Sequence, residues 1–390
     1  MAMERLFQLM KDKGASDLFL AVNSPIQVKI NGSLVAVNQQ RMDQASILAL
    51  LSEVVAPDRM AELQRDHELN LGIQAVGIGR LRLSAFTQRG SVSAVLRFVP
   101  YVIPPLDELK LPPVLAELIL AKRGLLLVVG ATGSGKSTTI ASMLDYRNAM
   151  SSGHILTLED PIEFLFSAKR SIVNQREIGT DALSLGVALK NALRQAPDCI
   201  LIGEIRDRET MTAAVSYALS GHLVVSTLHA NNSYHALSRI LSFYTPESRP
   251  ALLNDLSSAL KAVVSQRLVR TTAGGRQPAV EVLLNTKLIS DLIAQGDFAA
   301  VKEAMEQSLA EGSQTFEHEL ARMINEGRIT RDEGLAYADS PTNLMWRLQN
   351  DTGTQSKLLQ KVEEKDEGPS FTEITLDVPT EERRVAGGRL

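Results

Sequence analysis

The sequence is poor in cysteine: among its 390 residues only Cys199 carries a thiol. One cysteine cannot form an internal disulfide, and it excludes a zinc site built from several cysteines. Cys199 lies in an apolar strand pattern, so we interpret it as a small residue of the core.

The sequence also lacks an excess of one charge and a long apolar run. Its formal net charge is -4, which leaves no overall electrostatic footprint for nucleic acid, and we predict no nucleic-acid partner. The richest apolar stretch, Val114–Val129, is interrupted by charged residues such as Glu117 and Lys122, so it is unsuited to crossing a bilayer. The first residues lack the apolar core of a secretory signal. We therefore expect no membrane insertion and a cytoplasmic location.

The apolar fraction of 44% is ample for sizeable cores, and the length suggests two or three domains. Residues 1–99 are predicted to form a small α+β domain, and the proline-rich residues 100–113 a linker. From 114 to 350 strands and helices alternate, which predicts a parallel α/β sheet ending in a helical part. Residues 351–390 are charged with little apolar periodicity, so we predict a disordered tail.

Periodicity and turn residues predict individual elements. In the first domain we expect a helix over Met3–Lys13, a helical segment over Asp43–Leu63, and strands over Leu18–Val22, Gln27–Ile30, Ser33–Val37, Arg80–Thr87 and Ser91–Val99. In the second we expect strands over Leu125–Val129, Ile155–Leu158, Cys199–Ile202 and Leu223–Ser226, helices beginning near Lys136, Asp181 and Asp207, and a helical region from Pro250 to about Leu348.

The most informative motif follows the predicted strand Leu125–Val129 and fits the phosphate-loop pattern G-x-x-x-x-G-K-[S/T]. Glycines let backbone N–H groups converge on a polyphosphate, Lys136 reaches the β and γ phosphates, and the Ser137 hydroxyl is suited to Mg²⁺. The alternative is a glycine-rich turn that meets the pattern by chance. We predict binding of ATP or GTP with Mg²⁺ by Gly130, Ala131, Thr132, Gly133, Ser134, Gly135, Lys136, Ser137 and Thr138.

Acidic residues follow two further predicted strands. Glu204 comes after Cys199–Ile202, at the edge where ligands collect in open α/β sheets, and we predict that it orients or deprotonates the attacking water. The alternative is a helix-capping acid or a surface charge. Glu159 and Glu163 follow the strand Ile155–Leu158, and with Glu204 they are candidates to hold Mg²⁺ through water, although Asp160 between them is equally suited to starting a turn.

Histidines flank the predicted strand Leu223–Ser226. His229 falls at the same predicted sheet edge as Glu204, where it is placed to sense the γ phosphate. His222 lies at the opposite end of the strand, and either a structural or a functional role is open for it. Arg80 and Arg82 share one sheet face, and Arg97 lies on the neighbouring strand. These arginines form either a solvated edge or a cationic group that reaches a phosphate bound elsewhere.

Together these motifs resemble the secretion ATPase superfamily, and within it the PilT/PilU branch of motors that retract type IV pili. The resemblance extends from about Lys13 to Leu348. Gly130–Thr139 resembles the Walker A loop, Leu156–Phe164 the acidic box, Ala192–Asp207 the Walker B segment, and Gly221–Asn231 the His box of that family.

The resemblance implies a PAS-like N-terminal domain, a RecA-like ATPase domain and a homohexamer that uses ATP and Mg²⁺. It also implies a catalytic role for Glu204, membership of the acidic box for Glu159 and Glu163 and of the His box for His222 and His229, and an approach of Arg80, Arg82 or Arg97 to ATP. The implied partners are a PilT-like motor and the platform protein at the inner-membrane base of the pilus.

Several positions depart from the family pattern. Phe19 stands where histidine is usual, Ala131 replaces the common proline of the phosphate loop, and Ala196 replaces an acid. Asn285–Ile293 lacks both arginines of the retraction signature typical of PilT. The loss of those arginines, together with the long charged tail, favours the PilU-like type, which is expected to act with PilT.

Three alternatives are open from the sequence. A pilus-assembly or type II secretion ATPase would usually carry four zinc-binding cysteines, which are absent, and a DNA-transfer ATPase would be expected to show a basic face. The third alternative is a ring subunit that binds ATP mainly to support a partner motor. The presence of Lys136, Ser137, Glu204 and His229 together favours an active ATPase.

Overall fold

The computed structural model describes residues 2–30, 32–75, 77–99, 102–307 and 310–350, so the predicted tail 351–390 lies outside the described residues. Two β-sheets with flanking helices organise the described chain. The predicted α/β class, with an α+β arrangement in the N-terminal part, is confirmed.

The first sheet is antiparallel and has six strands in the order β3-β2-β1-β6-β5-β4. Apolar residues of the three helices pack on its inner face and form one core with it. The elements are α1 (Ala2–Lys13), β1 (Asp17–Leu20), β2 (Pro25–Ile30), β3 (Ser33–Arg41), α2 (Gln44–Ser52), α3 (Pro57–Asp66), β4 (Glu68–Ala75), β5 (Gly79–Gln88) and β6 (Ser91–Val99).

The second sheet has seven strands in the order β13-β12-β7-β11-β10-β8-β9, and only the β12–β13 pair is antiparallel. Its strands are β7 (Gly124–Val129), β8 (Gly153–Glu159), β9 (Ser171–Glu177), β10 (Cys199–Ile202), β11 (Leu223–Leu228), β12 (Leu260–Arg270) and β13 (Arg276–Leu284). The helices are α4 (Val114–Leu120), α5 (Lys136–Met150), α6 (Leu185–Ala192), α7 (Arg208–Leu219), α8 (Ser233–Ser242), α9 (Arg249–Ala259), α10 (Lys287–Gln295), α11 (Phe298–Glu306), α12 (Phe316–Asn325) and α13 (Arg331–Tyr337).

Strand β7 lies inside the second sheet and is buried on both faces. Leu125, Leu127 and Val129 belong to the core on one side, and Leu126 and Val128 to the core on the other. A continuous apolar run is what a parallel strand covered by helices on both faces requires. The phosphate-loop motif therefore follows directly after a strand in which every residue is buried.

The predicted helical region from Pro250 to Leu348 is wrong in its middle. Residues 260–284 form the long hairpin of β12 and β13, which extends the sheet beyond β7. Its valine-rich segments Ala262–Val264 and Val280–Val282 are buried, and β-branched residues favour strands. A short apolar run in a helix-rich stretch gives no periodicity that separates a buried strand from a buried helix.

Two other expectations need correction. The helix expected near Asp181 begins at Leu185, because the Ser184 hydroxyl caps it by accepting from the Val187 N–H. Pro57 starts a second helix within the segment predicted as one. The predictions also missed strands β4 and β9. Helix α7 begins at Arg208 with Asp207 as its cap, which confirms the start expected near Asp207.

Burial of β7 predicts the cost of removing one of its side chains. Leu127 is fully buried, so Leu127→Ala is expected to lower the free energy of unfolding by about 2–5 kcal/mol through lost burial and a residual cavity. Leu288, which is 58% exposed in the same half of the molecule, is the matched control, and Leu288→Ala should stay within about 0.5 kcal/mol. Urea unfolding followed by circular dichroism measures both, and equal losses would contradict the packing described.

Candidate nucleotide site

The loop between β7 and α5 has backbone angles that only glycine adopts readily. Gly130, Gly133 and Gly135 have φ angles of 152°, 77° and 90°. A Cβ atom at Gly130 would lie 2.5 Å from the Gln266 carbonyl oxygen, and one at Gly135 would lie 2.7 Å from Gln266 Nε2. Conformation thus disfavours a side chain at all three glycines, and space also excludes one at Gly130 and Gly135. The loop has the tight, glycine-dependent shape that a phosphate cradle needs.

Lys136 folds back over this loop. Its Nζ donates to the carbonyl oxygens of Gly130 at 2.8 Å and Ala131 at 2.9 Å. Burial lowers the pKa of the Lys136 ammonium, and the charges of Glu204 and Glu163 act in the opposite direction. The Ser134 hydroxyl is buried and has no hydrogen-bond partner among the described residues. A cation and an unpartnered hydroxyl at a glycine loop fit a polyphosphate, and Ser137 and Thr138 follow in the first turn of α5.

Glu204 is held at the end of β10 by the backbones of both neighbouring strands. On one side the Gly203 N–H donates to the Leu158 carbonyl at 2.8 Å, and on the other the Ile205 N–H donates to the Thr227 carbonyl at 2.9 Å. The Thr227 hydroxyl also donates to the Gly203 carbonyl at 2.6 Å. The position of Glu204 is therefore set by the hydrogen bonds of its sheet neighbours.

The structure brings His229 and Glu204 into contact. His229 Nε2 lies 3.0 Å from Glu204 Oε1, and Arg206 Nε donates to Glu204 Oε2 at 2.7 Å. The Glu204 side chain is 21% exposed, so water reaches it. His222 lies at the other end of β11, where its Nδ1 is 3.2 Å from the Tyr217 carbonyl oxygen. That contact supports the structural reading for His222.

The acidic residues at and after the end of β8 differ in their hydrogen bonds and exposure; Glu159 is half-buried. Glu159 Oε1 accepts from the Thr157 hydroxyl at 2.6 Å and from Gln175 Nε2 at 3.3 Å. Burial raises the pKa of Glu159, while these two hydrogen bonds act against that shift. Glu163 is half-buried and Asp160 is exposed. In the described part of the chain no cluster of three His, Cys, Asp or Glu side chains is arranged to hold a metal ion.

The three arginines of the N-terminal sheet have different surroundings. Arg80 forms an ion pair with Glu177 at the end of β9, and Arg97 Nε donates to Asp17 Oδ1 at 2.8 Å. Arg82 is exposed and pairs in register with Arg97 on β6. The prediction that Arg80 and Arg82 share a sheet face agrees with the alternation along β5.

A cleft of ≈ 610 Å³ opens beside the phosphate loop, a volume typical of sites for small molecules. Ala131–Ser134, the residues after the His box, and the C-terminal segment Ala336–Asp339 line it. A second cleft, of ≈ 440 Å³, joins Gly130 and Ala131 to His229 and Arg239. Both clefts touch the loop, so the phosphate cradle faces open space on the side of the His box.

Sequence reasoning missed Gln266 on β12. Its Nε2 donates to the Ser134 carbonyl at 2.8 Å, and its Oε1 accepts from the Thr139 hydroxyl at 2.8 Å. Gln266 is 2% exposed, so these bonds form out of water. Its strand was predicted as helix, and no sequence signal placed it beside the loop.

A second missed group connects the His box to the C-terminal helices. Arg267 forms an ion pair with Asp339 and lies 3.8 Å from the centre of the Phe316 ring. Asn232 Nδ2 donates to Asp339 Oδ2 at 2.8 Å, and Arg267 Nη2 donates to the Asn231 carbonyl at 3.1 Å. The segment after His229 is thus tied to the connection that follows α13.

Among the helices of the described ranges, none has both the length and the apolar character needed to cross a membrane.

Comparison with known proteins finds relatives among secretion and pilus ATPases. The family model described as type II/IV secretion system protein matches residues 2–347. The chain is 46% identical over 357 residues to the type IV pilus ATPase PilU of Pseudomonas aeruginosa, covering 91% of this chain and 93% of PilU. It is 35% identical over 331 residues to the type IV pilus retraction ATPase PilT of that organism, covering 85% and 96%.

A solved structure agrees with these relatives. The crystal structure of the pilus retraction motor PilT with bound ADP matches with a TM-score of 0.81 and 37% identity, over 87% of this chain and 98% of that one. The predicted resemblance to PilT/PilU-type ATPases and the PAS-like plus RecA-like fold are confirmed. The higher identity to PilU agrees with the PilU-like assignment. The roles of individual site residues stay predictions.

The contacts of Gln266 predict a role in shaping the phosphate loop. Gln266→Leu would leave the Ser134 carbonyl and the Thr139 hydroxyl without buried partners, and each lost bond is worth about 1 kcal/mol. We expect ATP affinity to fall roughly tenfold, or about 1.4 kcal/mol. The control is Gln277→Leu on β13, a buried glutamine whose Nε2 has no partner in the described structure. Titration with a fluorescent nucleotide measures both, and equal effects would refute the assignment.

Burial of Glu159 predicts opposite effects on stability and on turnover. Burial raises the pKa of Glu159, so its carboxyl group binds a proton more tightly in the folded protein than in the unfolded chain. The free energy of unfolding therefore declines as pH rises above the ordinary carboxyl range. Glu159→Gln removes that decline. Measured without nucleotide or Mg²⁺, its unfolding free energy should equal or exceed the parent's at pH 7, with the difference shrinking toward pH 4, while ATP hydrolysis falls. The exposed Glu108→Gln is the control. A loss of stability at pH 7 would contradict this account.

Proposed function

We propose that this chain, which belongs to the family of type II/IV secretion system proteins, is a subunit of an ATP-hydrolysing motor that powers retraction of type IV pili. The observation that carries the proposal is the meeting of four strand ends at one edge of a parallel sheet. There the Glu204 carboxylate lies 3.0 Å from His229 and is close enough to Lys136 to act on its charge.

Each group at this edge has a role in phosphoryl transfer. Backbone N–H groups of Gly130–Ser137 bind the phosphates, and Lys136 exchanges its loop carbonyls for phosphate oxygens. Glu204 orients the attacking water and accepts its proton. His229 holds the Glu204 carboxylate in place and contacts the γ phosphate.

Mg²⁺, when bound with the nucleotide, neutralises the charge that builds on the phosphate oxygens. Ser137 is the residue suited to bind it directly, and Glu159, Glu163 and Glu204 would hold it through water. Mg²⁺ usually keeps several waters at sites of this kind, so a direct cluster of three protein ligands is not required. The donor set, one hydroxyl and several carboxylates, suits a hard cation.

The working assembly is a homohexamer divided into residues 1–99, 100–113 and 114–350 of each subunit. Three large apolar side chains, on β9, in the segment after it and on α6, are exposed to water, which supports their burial between subunits. They are Ile172, Leu183 and Val187, exposed by 64%, 92% and 44%. In such a ring Arg82 and Arg97 are the N-terminal cations placed to approach a nucleotide. Arg82 is exposed, and Arg97 stays 68% exposed beside Asp17, whereas Arg80 is 14% exposed in its ion pair with Glu177.

The similarity to PilU and PilT supports the proposed partners. P. aeruginosa PilT is named as a retraction ATPase and PilU as a pilus ATPase, so we assign this chain to the PilU-like type that works with a PilT-like motor. It acts in the cytoplasm, at the platform protein of the inner-membrane pilus base. The absence of arginine from Asn285–Ile293 favours this supporting role over independent retraction.

The site predicts separable losses of binding and of hydrolysis. Lys136→Ala should abolish ATP binding, because it removes the cation of the loop. Glu204→Gln should bind ATP within about threefold of the parent, yet lower steady-state phosphate release at least about a hundredfold, the scale of a lost general base. Glu209→Gln, an exposed acid in the helix that follows the same strand, is the matched control and should leave phosphate release unchanged. An unchanged rate in Glu204→Gln would exclude Glu204 from the chemistry.

A further inference from the structure

Glu177, at the end of β9, is a buried carboxylate that contacts both sheets. It is 3% exposed. Its Oε1 accepts from the Gly72 N–H at 3.3 Å and from the Thr180 hydroxyl at 3.4 Å. Its Oε2 accepts from the Ile162 N–H at 3.0 Å and pairs with the Arg80 guanidinium. Glu177 was not among the predicted site residues, because β9 itself was not predicted.

Gly72 makes room for the ion pair. It lies in the middle of β4, where glycine weakens a strand unless another group must approach closely. A Cβ atom at Gly72 would lie 2.2 Å from Arg80 Nη2 and 2.7 Å from Arg80 Cζ. The guanidinium therefore crosses β4 over the glycine to reach Glu177. In the N-terminal sheet, Arg80 supplies the cation and Gly72 leaves space for it, and together they allow the ion pair with Glu177 of the other sheet.

The same carboxylate holds the acidic box. Glu177 pairs in register with Glu159 across β9 and β8, and the Ile178 N–H donates to the Glu159 carbonyl at 2.8 Å. The bond from the Ile162 N–H fixes the turn that leads from Glu159 to Glu163. A buried carboxylate that loses its cation is strongly disfavoured, so the position of this turn depends on Arg80 being in place.

We propose that Glu177, Arg80 and Gly72 form an interdomain clasp, in which Glu177 is a positioning residue that makes the acidic box respond to the N-terminal sheet. The inference rests on the proposed ATPase function. Glu177 touches neither nucleotide nor water in this scheme and acts through Glu159 and Glu163. When the N-terminal sheet shifts and Arg80 withdraws, the turn at Ile162 is released and hydrolysis slows. Arg80 is thereby assigned to the clasp and not to the phosphates.

The test is a double-mutant cycle between Gly72→Ala and Arg80→Ala. In the parent background Gly72→Ala displaces the guanidinium, and we expect kcat for ATP hydrolysis to fall about tenfold with KM changed less than about threefold, as for a loss of positioning. In the Arg80→Ala background the added methyl has nothing to displace, so Gly72→Ala should have no further effect. Asn70→Ala, at an exposed position of the same strand, controls for disturbance of β4.

A second readout does not depend on activity. Hydrogen exchange of the Ile162 amide should accelerate about tenfold in Arg80→Ala and in Gly72→Ala, and stay at the parent rate in Asn70→Ala. Unchanged Ile162 exchange together with slower hydrolysis in Arg80→Ala would overturn the clasp and assign Arg80 to the nucleotide. Additive effects of the two substitutions on kcat would overturn it as well. If the parent chain hydrolyses no ATP, the proposed function fails, and Ile162 exchange still decides the clasp.

Discussion

The candidate site depends on one constraint: β7, β11, β10 and β8 are hydrogen-bonded side by side in parallel, so their carboxyl ends emerge at a single edge. Each strand delivers one group there, the phosphate loop after β7, His229 after β11, Glu204 after β10 and Glu159 at the end of β8. The backbone bonds of Gly203 and Ile205 to both neighbouring strands fix the Glu204 position. A site built on strand ends keeps its geometry because the strands beneath it are largely buried.

The two strands that flank these four, β12 and β9, support this edge from both sides. Gln266 on β12 braces the phosphate loop, and Glu177 on β9 braces the acidic box. Beyond them, Arg267 and Asp339 join the residues after the His box to the C-terminal helices. The nucleotide edge is thus connected in one direction to the N-terminal sheet and in the other to the C-terminal helices. That arrangement suits a motor, in which a local change at phosphate must move whole domains.

The local sequence pattern was enough to predict the strands that carry the candidate site. The apolar run before Gly130 predicted β7, and Cys199–Ile202 was predicted with its observed bounds, because a buried parallel strand shows directly in composition. The residues that support the site could not be predicted in this way. Gln266 and Glu177 act across 132 and 105 positions of sequence, on Ser134 and Gly72, and both lie on strands whose patterns were ambiguous or weak. Long-range contacts of this kind have no local signal.

The central claim, that this chain converts ATP hydrolysis into pilus retraction alongside a PilT-like motor, is tested most directly by measuring retraction itself. Pilus retraction would be recorded in cells that carry this chain alone, a PilT-type ATPase alone, or both, with the chain either intact or carrying Lys136→Ala. The account predicts stronger or more frequent retraction with both proteins than with the partner alone, and loss of that gain with Lys136→Ala. Retraction that is the same with and without the intact chain would contradict it.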